Sequence, residues 1–189
     1  MENKLQQFLQ LKFGQMAPEQ LAGLLNKWNI IKTLKKDDVI LHKHPEDEAL
    51  YFIEKGSVKV CTEKDETEFI FTFGYANTCI FNMPAFMSGK SSGIYIQAIK
   101  QTTLWGIRRH DFLQELQKNE SLNTFWNRNT ENILLELVER ETDLLTNAPT
   151  ERYNRLLQRH PALFQHIPKK HIAAYLNMSP ETLSRLSKS

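Results

Sequence analysis

Near the end of the chain, Glu181 and Arg185 stand four positions apart behind Ser179-Pro180, a spacing that puts a carboxylate and a guanidinium on one side of a helix. Arginine can donate two parallel hydrogen bonds to a guanine edge, and glutamate can accept one from a cytosine amino group. Ser179 is a good N-cap, Pro180 a favoured first helical residue, and Glu181 an anion near the positive end of the helix dipole. Thr182 and Ser184 share the polar side, while Leu183 and Leu186 face inward. An earlier helix follows Pro168 and carries Lys169 and Lys170, ammonium groups suited to phosphates, with Ile172, Ala173 and Leu176 as its apolar set. Asn177 tolerates the left-handed backbone of a tight turn, and Met178 can drop inward as its plug. The spacing predicts a helix-turn-helix whose DNA-facing residues are Lys169, Lys170, Ser179, Glu181, Thr182, Ser184 and Arg185.

Short helix pairs also occur as plain hairpins, so the charge distribution bears on the choice. The whole chain has a net charge of only +2. Residues 151–189 hold seven Lys/Arg against two acids, whereas 119–150 hold two against six. The basic end coincides with the helix pair, as a phosphate-facing module requires.

The remaining reactive side chains form no recognisable active site. His42 and His44 share one face of a strand but have no third metal ligand, which points to a surface pair. Cys61 and Cys79 make neither a disulfide framework nor a metal cluster, and buried thiols are expected. No phosphate loop, nucleophile elbow or paired carboxylates occur, so no enzyme, metal or cofactor is expected. At 41% hydrophobic and 24% charged, the composition suits a core-forming protein. The start, Met-Glu-Asn-Lys-Leu-Gln-Gln, lacks the pattern of a secretion signal, and no run approaches the ~18 apolar residues of a membrane span. A cytoplasmic location without membrane contact is expected.

Three regions must position these groups. From Met1 to about Ile31 the pattern is helical, with Leu21, Leu24, Leu25 and Trp28 on one face after Pro18. From about Ile30 to Arg109, short β-rich runs alternate with turn residues: Val39–Leu41, Leu50–Ile53, Ser57–Cys61, Glu68–Phe73, Ile94–Ile99 and Thr103–Ile107. Such spacing predicts a β-sandwich or barrel, with Gly56 supplying a positive φ in the clearest hairpin turn. After His110 a helical pattern runs for over thirty residues. Trp126, Ile133, Leu137 and Leu144 lie near a seven-residue seam, which Leu134, Leu135, Val138 and Leu145 widen and Arg140 interrupts. A helix this apolar packs either on its own β region or on a second copy; the second is preferred here, because a helix-turn-helix commonly reads a two-fold site as a dimer. Asn147-Ala-Pro149 marks a hinge.

A strand set containing Leu50-Tyr-Phe-Ile-Glu-Lys-Gly-Ser-Val-Lys-Val60, a long helix and Ser179-Pro-Glu-Thr-Leu-Ser-Arg185 together resemble the Crp/Fnr superfamily of transcription regulators, from about residue 20 onward. The resemblance implies an α+β chain: a jelly-roll (double-stranded β-helix) domain of the cyclic nucleotide-binding type over 1–118, a dimerisation helix over 119–147 and a helix-turn-helix domain over 148–189. It implies a homodimer on double-stranded DNA, with RNA polymerase as a further candidate partner. Trp126, Ile133, Leu137 and Leu144 would form the dimer interface. The family's recognition helix usually reads Arg-Glu-x-x-x-Arg; Pro180 replaces the first arginine, so an altered operator is expected. Nucleotide-binding members carry a Gly-Glu pair and an Arg-Ser pair, and the corresponding positions here are Phe81-Asn82 and Ser92-Gly93. Neither charge is present, and a buried phosphate without a guanidinium would cost several kcal/mol. This effector pocket is therefore expected to be degenerate, without physiological affinity for cyclic AMP.

The nearby aromatics, Phe69, Phe71, Phe73, Tyr75, Phe81, Phe86 and Tyr95, point either to a cavity filled by its own side chains or to a hydrophobic ligand pocket; self-filling is preferred. The alternative functional reading is a ligand-binding or protein-interaction module that no longer binds specific DNA, made conceivable by an ending close behind the recognition helix.

Overall fold

The computed structural model describes residues 4–42, 44–146 and 148–187. Asn147, the first residue of the expected hinge, and Lys188-Ser189 at the end of the expected DNA-binding segment lie outside them. Two helices come first, α1 (Lys4–Phe13) and α2 (Pro18–Lys27). Eight strands follow: β1 (Ile30–Leu34), β2 (Val39–Ile40), β3 (Ala49–Lys55), β4 (Ser57–Lys64), β5 (Thr67–Tyr75), β6 (Cys79–Ile80), β7 (Tyr95–Ala98) and β8 (Thr102–Arg108), with α3 (Met83–Ser88) between β6 and β7. Then come α4 (Arg109–Lys118), the long α5 (Glu120–Thr146), α6 (Pro149–Arg159), α7 (Leu163–His166), α8 (Lys169–Tyr175) and α9 (Pro180–Leu186).

The strands form two four-stranded antiparallel sheets, ordered β1-β8-β3-β6 and β2-β7-β4-β5, which face each other as a jelly roll. β1 and β6 were not among the runs legible in the sequence. β6 has only two residues, and β1, Ile-Ile-Lys-Thr-Leu, alternates in burial but not in residue type. β3 explains the packing. Its uninterrupted run Leu50-Tyr-Phe-Ile is buried on both faces, as a strand covered on each side must be. Tyr51 and Ile53 point between the sheets, with Leu34, Val58, Val60, Ile80, Ile96 and Leu104. Leu50 and Phe52 point outward into a second core built by Leu5, Leu9, Phe13, Leu24, Trp28, Phe112, Leu116 and Trp126. The outer face of the other sheet, through Cys61, Ile70 and Phe73, together with Ile99 just after β7, meets a third core from the C-terminal helices.

Local chemistry fixes the corners. Gly56 has φ 104°, and a Cβ there would lie 2.3 Å from Thr102 Oγ1. That hairpin position therefore admits only glycine without displacing β8. The helical run after His110 is two helices, because Asn119 adopts an extended backbone and its Oδ1 accepts from Leu122 N at 3.0 Å, capping α5.

Candidate functional site

Two regions carry the groups singled out by the sequence: the roll beside α3, and the C-terminal helix pair.

In the roll, the four effector-pocket positions do not share one role. Asn82 is the N-cap of α3: its Oδ1 accepts from Ala85 N at 3.4 Å, and its Nδ2 donates to Ser92 Oγ at 2.8 Å and to Ile94 O at 3.0 Å. The two positions aligned with ribose and phosphate contacts thus hydrogen-bond to each other. Phe81 is buried in an aromatic cluster, its centroid 5.1 Å from Phe86 and 5.4 Å from Trp126. Gly93 lies in an exposed loop, where its carbonyl accepts from Thr62 Oγ1 at 3.0 Å. Behind Asn82 sits Glu48, only 1% exposed, with one carboxylate oxygen lacking any hydrogen-bond partner. Burial pushes its carboxyl up to about 7 against the opposing pull of Arg109. Nothing in Glu46-Asp47-Glu48 distinguished this residue from its solvated neighbours.

Beyond Phe81 the roll opens into a cleft of about 840 Å³ bounded by α1, α2, β5, β6 and α5. Phe8, Phe13, Phe81, Phe125 and Trp126 supply aromatic wall, and Lys12, Asn77 and Asn132 are exposed lining residues. The preferred self-filled cavity is therefore corrected: Phe81 and Phe73 line this space without closing it. Cys79 also lines it, and burial pushes its thiol up to about 12; burial raises Cys61 to about 11. Both thiols are free, and they belong to different sheets. Neither is a reactive thiolate near neutral pH. His42 stacks on Tyr51 and its Nε2 lies 3.1 Å from the Tyr51 hydroxyl, so it is a structural partner. Among the described residues no group of three His, Cys, Asp or Glu could hold a metal ion, and no helix is long and apolar enough to cross a membrane.

In the C-terminal helix pair, Asn177 takes φ 51° and Met178 N donates to Ala173 O at 3.0 Å, closing the turn. Ser179 caps α9, its Oγ accepting from Thr182 N at 3.2 Å. Loss of such a cap typically costs about 1 kcal/mol. Hydrogen bonds from its own backbone amide and from the Ser179 hydroxyl hold the exposed Glu181 carboxyl below its ordinary range. Leu183 is buried on α8, leaving Glu181 and Arg185 exposed and Thr182 and Ser184 half-exposed. Lys169 reaches across to Ser187 Oγ at 2.6 Å, and Lys170 is exposed beside His171.

This pair is docked on the roll. Phe73 of β5 packs on Tyr175, Tyr75 stacks on His166, and the buried Lys59 pairs with Glu68 close to His171. Burial, with Lys59 and Lys170 nearby, lowers the His171 imidazole to about 4. Arg140 of α5 fastens the joint. Its guanidinium donates to Ile70 O of β5 and to Tyr175 O of α8, both at 3.1 Å, and stacks 4.4 Å from the Tyr175 ring centre. On the other side, Asp143 holds Arg155 and Arg159 of α6, the latter at 2.8 Å. Burial opposes ionisation of Asp143, but hydrogen bonds from Arg159 and Arg155 keep its carboxyl below the usual range.

The expected dimer seam is placed differently from the sequence reading. Trp126 is buried in its own chain's core, Ile133 packs against that core, Leu137 lines the cleft, and Leu144 is half-buried. Trp126, Ile133 and Leu137 thus lie on the side of α5 that faces the roll. The exposed apolar residues are Leu134 (61%), Leu135 (62%), Val138 (58%) and Leu145 (75%), about a quarter to a half turn away.

Comparison with known proteins bears on this geometry. Residues 31–119 match the cyclic nucleotide-binding domain family. No curated protein sequence matches the chain. Solved structures share its fold: FixK2 from Bradyrhizobium japonicum (TM-score 0.70, 18% identity, covering 84% of this chain and 82% of that one), the catabolite activator protein of Thermus thermophilus (0.56, 20%, 93% and 84%) and a protein from Eubacterium rectale described as a Crp/Fnr-family transcriptional regulator (0.65, 15%, 93% and 84%).

Proposed function

We propose, from a chain whose fold is that of the Crp/Fnr regulators and whose roll matches the cyclic nucleotide-binding domain, that this protein is a homodimeric DNA-binding transcription regulator with α9 as its reading helix. The observation that carries the reading is the capped helix α9, whose Leu183 side is buried on α8 while Glu181 and Arg185 stay in solvent. Docking on the roll uses α8 and leaves that side open. Lys169 and Lys170 flank the pair as phosphate contacts, and the stripe of Leu134, Leu135, Val138 and Leu145 supplies the dimer contact. Pro180 contributes no side-chain donor, so the half-site is read through Glu181 and Arg185, with Ser179, Thr182 and Ser184 beside them.

A mobility-shift titration on promoter fragments over a range of salt tests this reading. Specific fragments should outcompete random DNA, with affinity falling steeply as salt rises. Arg185→Ala should cost about 1–3 kcal/mol on specific DNA and relax selectivity at one base pair per half-site, while Lys169→Ala or Lys170→Ala should weaken all sequences alike. Unchanged specific binding by Arg185→Ala would sink the docking.

The roll does not take cyclic AMP as its effector in this reading. Asn82 and Ser92 bond each other, and no guanidinium stands at the aligned phosphate position. Calorimetry should give no saturable heat with micromolar cyclic AMP; a micromolar or tighter isotherm would reverse the conclusion.

A further inference from the structure

The cleft between the roll and α5 has a shape and a charge that select a ligand. Its volume of about 840 Å³ lies within the ~300–1,000 Å³ range of small-molecule sites. Aromatic rings from α1, from the turn before α3 and from α5 converge on it, and Trp28 and Trp126 are both in its wall. Such a surface favours an apolar body by removing its carbons from water.

Two charged residues line the cleft, and they differ. Glu136 pairs with His160 at 3.4 Å. Lys12, exposed on α1, lies 6.0 Å from the centre of the Phe125 ring and, among the described residues, forms no ion pair. The cleft therefore presents an apolar wall with one lysine that has no carboxylate partner among the described residues. A neutral apolar ligand would leave that cation unused, and a polyanion would meet only that one lysine. A second copy of the chain is a poor occupant, because the exposed leucine stripe of α5 turns away from the mouth.

We propose that this cleft binds an amphipathic monoanion, an apolar body bearing a single carboxylate, with the body among Phe8, Phe13, Phe81 and Trp126 and the carboxylate on Lys12 Nζ. This rests on reading the roll as an effector domain. It names the class of effector that such a domain would take in place of a cyclic nucleotide, in a cleft that shares Phe81 with the degenerate pocket. Carboxylate and ammonium both stay near water, so the pair adds selectivity without a large desolvation cost.

The test is tryptophan fluorescence of the full chain, titrated with laurate and separately with dodecanol, each below its aggregation limit. Laurate should saturably change the signal. Lys12→Gln should weaken laurate about three- to tenfold, the range of a partly exposed charge pair, and leave dodecanol unchanged. Lys12 is exposed, so the variant should melt with the parent. If neither probe binds, the cleft is not an effector site and the underlying reading of the roll falls. Should both bind with Lys12→Gln indifferent to each, the apolar cleft stands and the carboxylate assignment is overturned.

Discussion

Glu48 is the side chain whose environment departs furthest from what its neighbours in sequence suggest. It is closed in behind Asn82 with one oxygen unbonded, so its neutral form is the one the fold prefers. The folded carboxyl stays protonated to about pH 7, while an unfolded one ionises near 4.5. Between these values the folded state binds more protons, so stability is fully present below about pH 4.5 and is lost as pH rises through 7. Glu48→Gln keeps the shape and removes the ionisation. In urea denaturation the variant should gain on the parent from pH 5 to pH 8, by on the order of 2 kcal/mol. Parallel pH profiles for the two proteins would refute the burial of this charge. The single-residue features that sequence made legible were of another kind: Gly56, Asn177 and the Ser179 cap are conformational requirements that a residue type states by itself. Burial of Glu48 depends on β3, α3 and β8 arriving together, and no local pattern encodes that.

Among the elements, α5 shows how far periodicity reaches. A seven-residue repeat identifies which residues share a side of a helix, but not which body each side meets. α5 has two apolar sides, and the one chosen as the seam has Trp126 and Ile133 in its own chain's core and Leu137 in the wall of the cleft. Leu134, Leu135, Val138 and Leu145 are left as an exposed stripe of a kind that lone soluble chains rarely carry. Sedimentation at micromolar concentration should give a dimer for the parent and a monomer for Val138→Glu. Ile133→Ala should remain dimeric and lose about 1–2 kcal/mol of stability, below the range of a fully buried truncation. A Val138→Glu dimer as tight as the parent's would rule out the stripe as the interface. The strands were largely legible because apolar runs broken by turn residues are a local signal. β1 and β6 were not, since their pairing with β8 and β3 is what makes them strands.

Across the whole molecule, the roll and the C-terminal helices share one core, in which Cys61, Ile70 and Phe73 of the sheets and Ile99 of the turn after β7 meet Leu156, Leu163, Ile172 and Leu176. The architecture was legible in outline, because the order of strand-rich and helical stretches is visible along the chain, but the joint between them was not. In the sequence Arg140 reads as a flaw in an apolar seam; in the fold it is the clasp. Its two hydrogen bonds go to backbone carbonyls, those of Ile70 and Tyr175. Every amino acid brings the same carbonyl, so position 70 can drift to any residue that keeps β5 in place, and position 175 is held only by its ring. Position 140 has less latitude, since both bonds leave one nitrogen, Nη2, while the planar guanidinium lies on the Tyr175 ring, a stack that a lysine ammonium does not reproduce. Tolerance to substitution at this joint is thus unequally shared: position 70 gives the clasp only a carbonyl, whereas positions 140 and 175 also give it their two stacked faces.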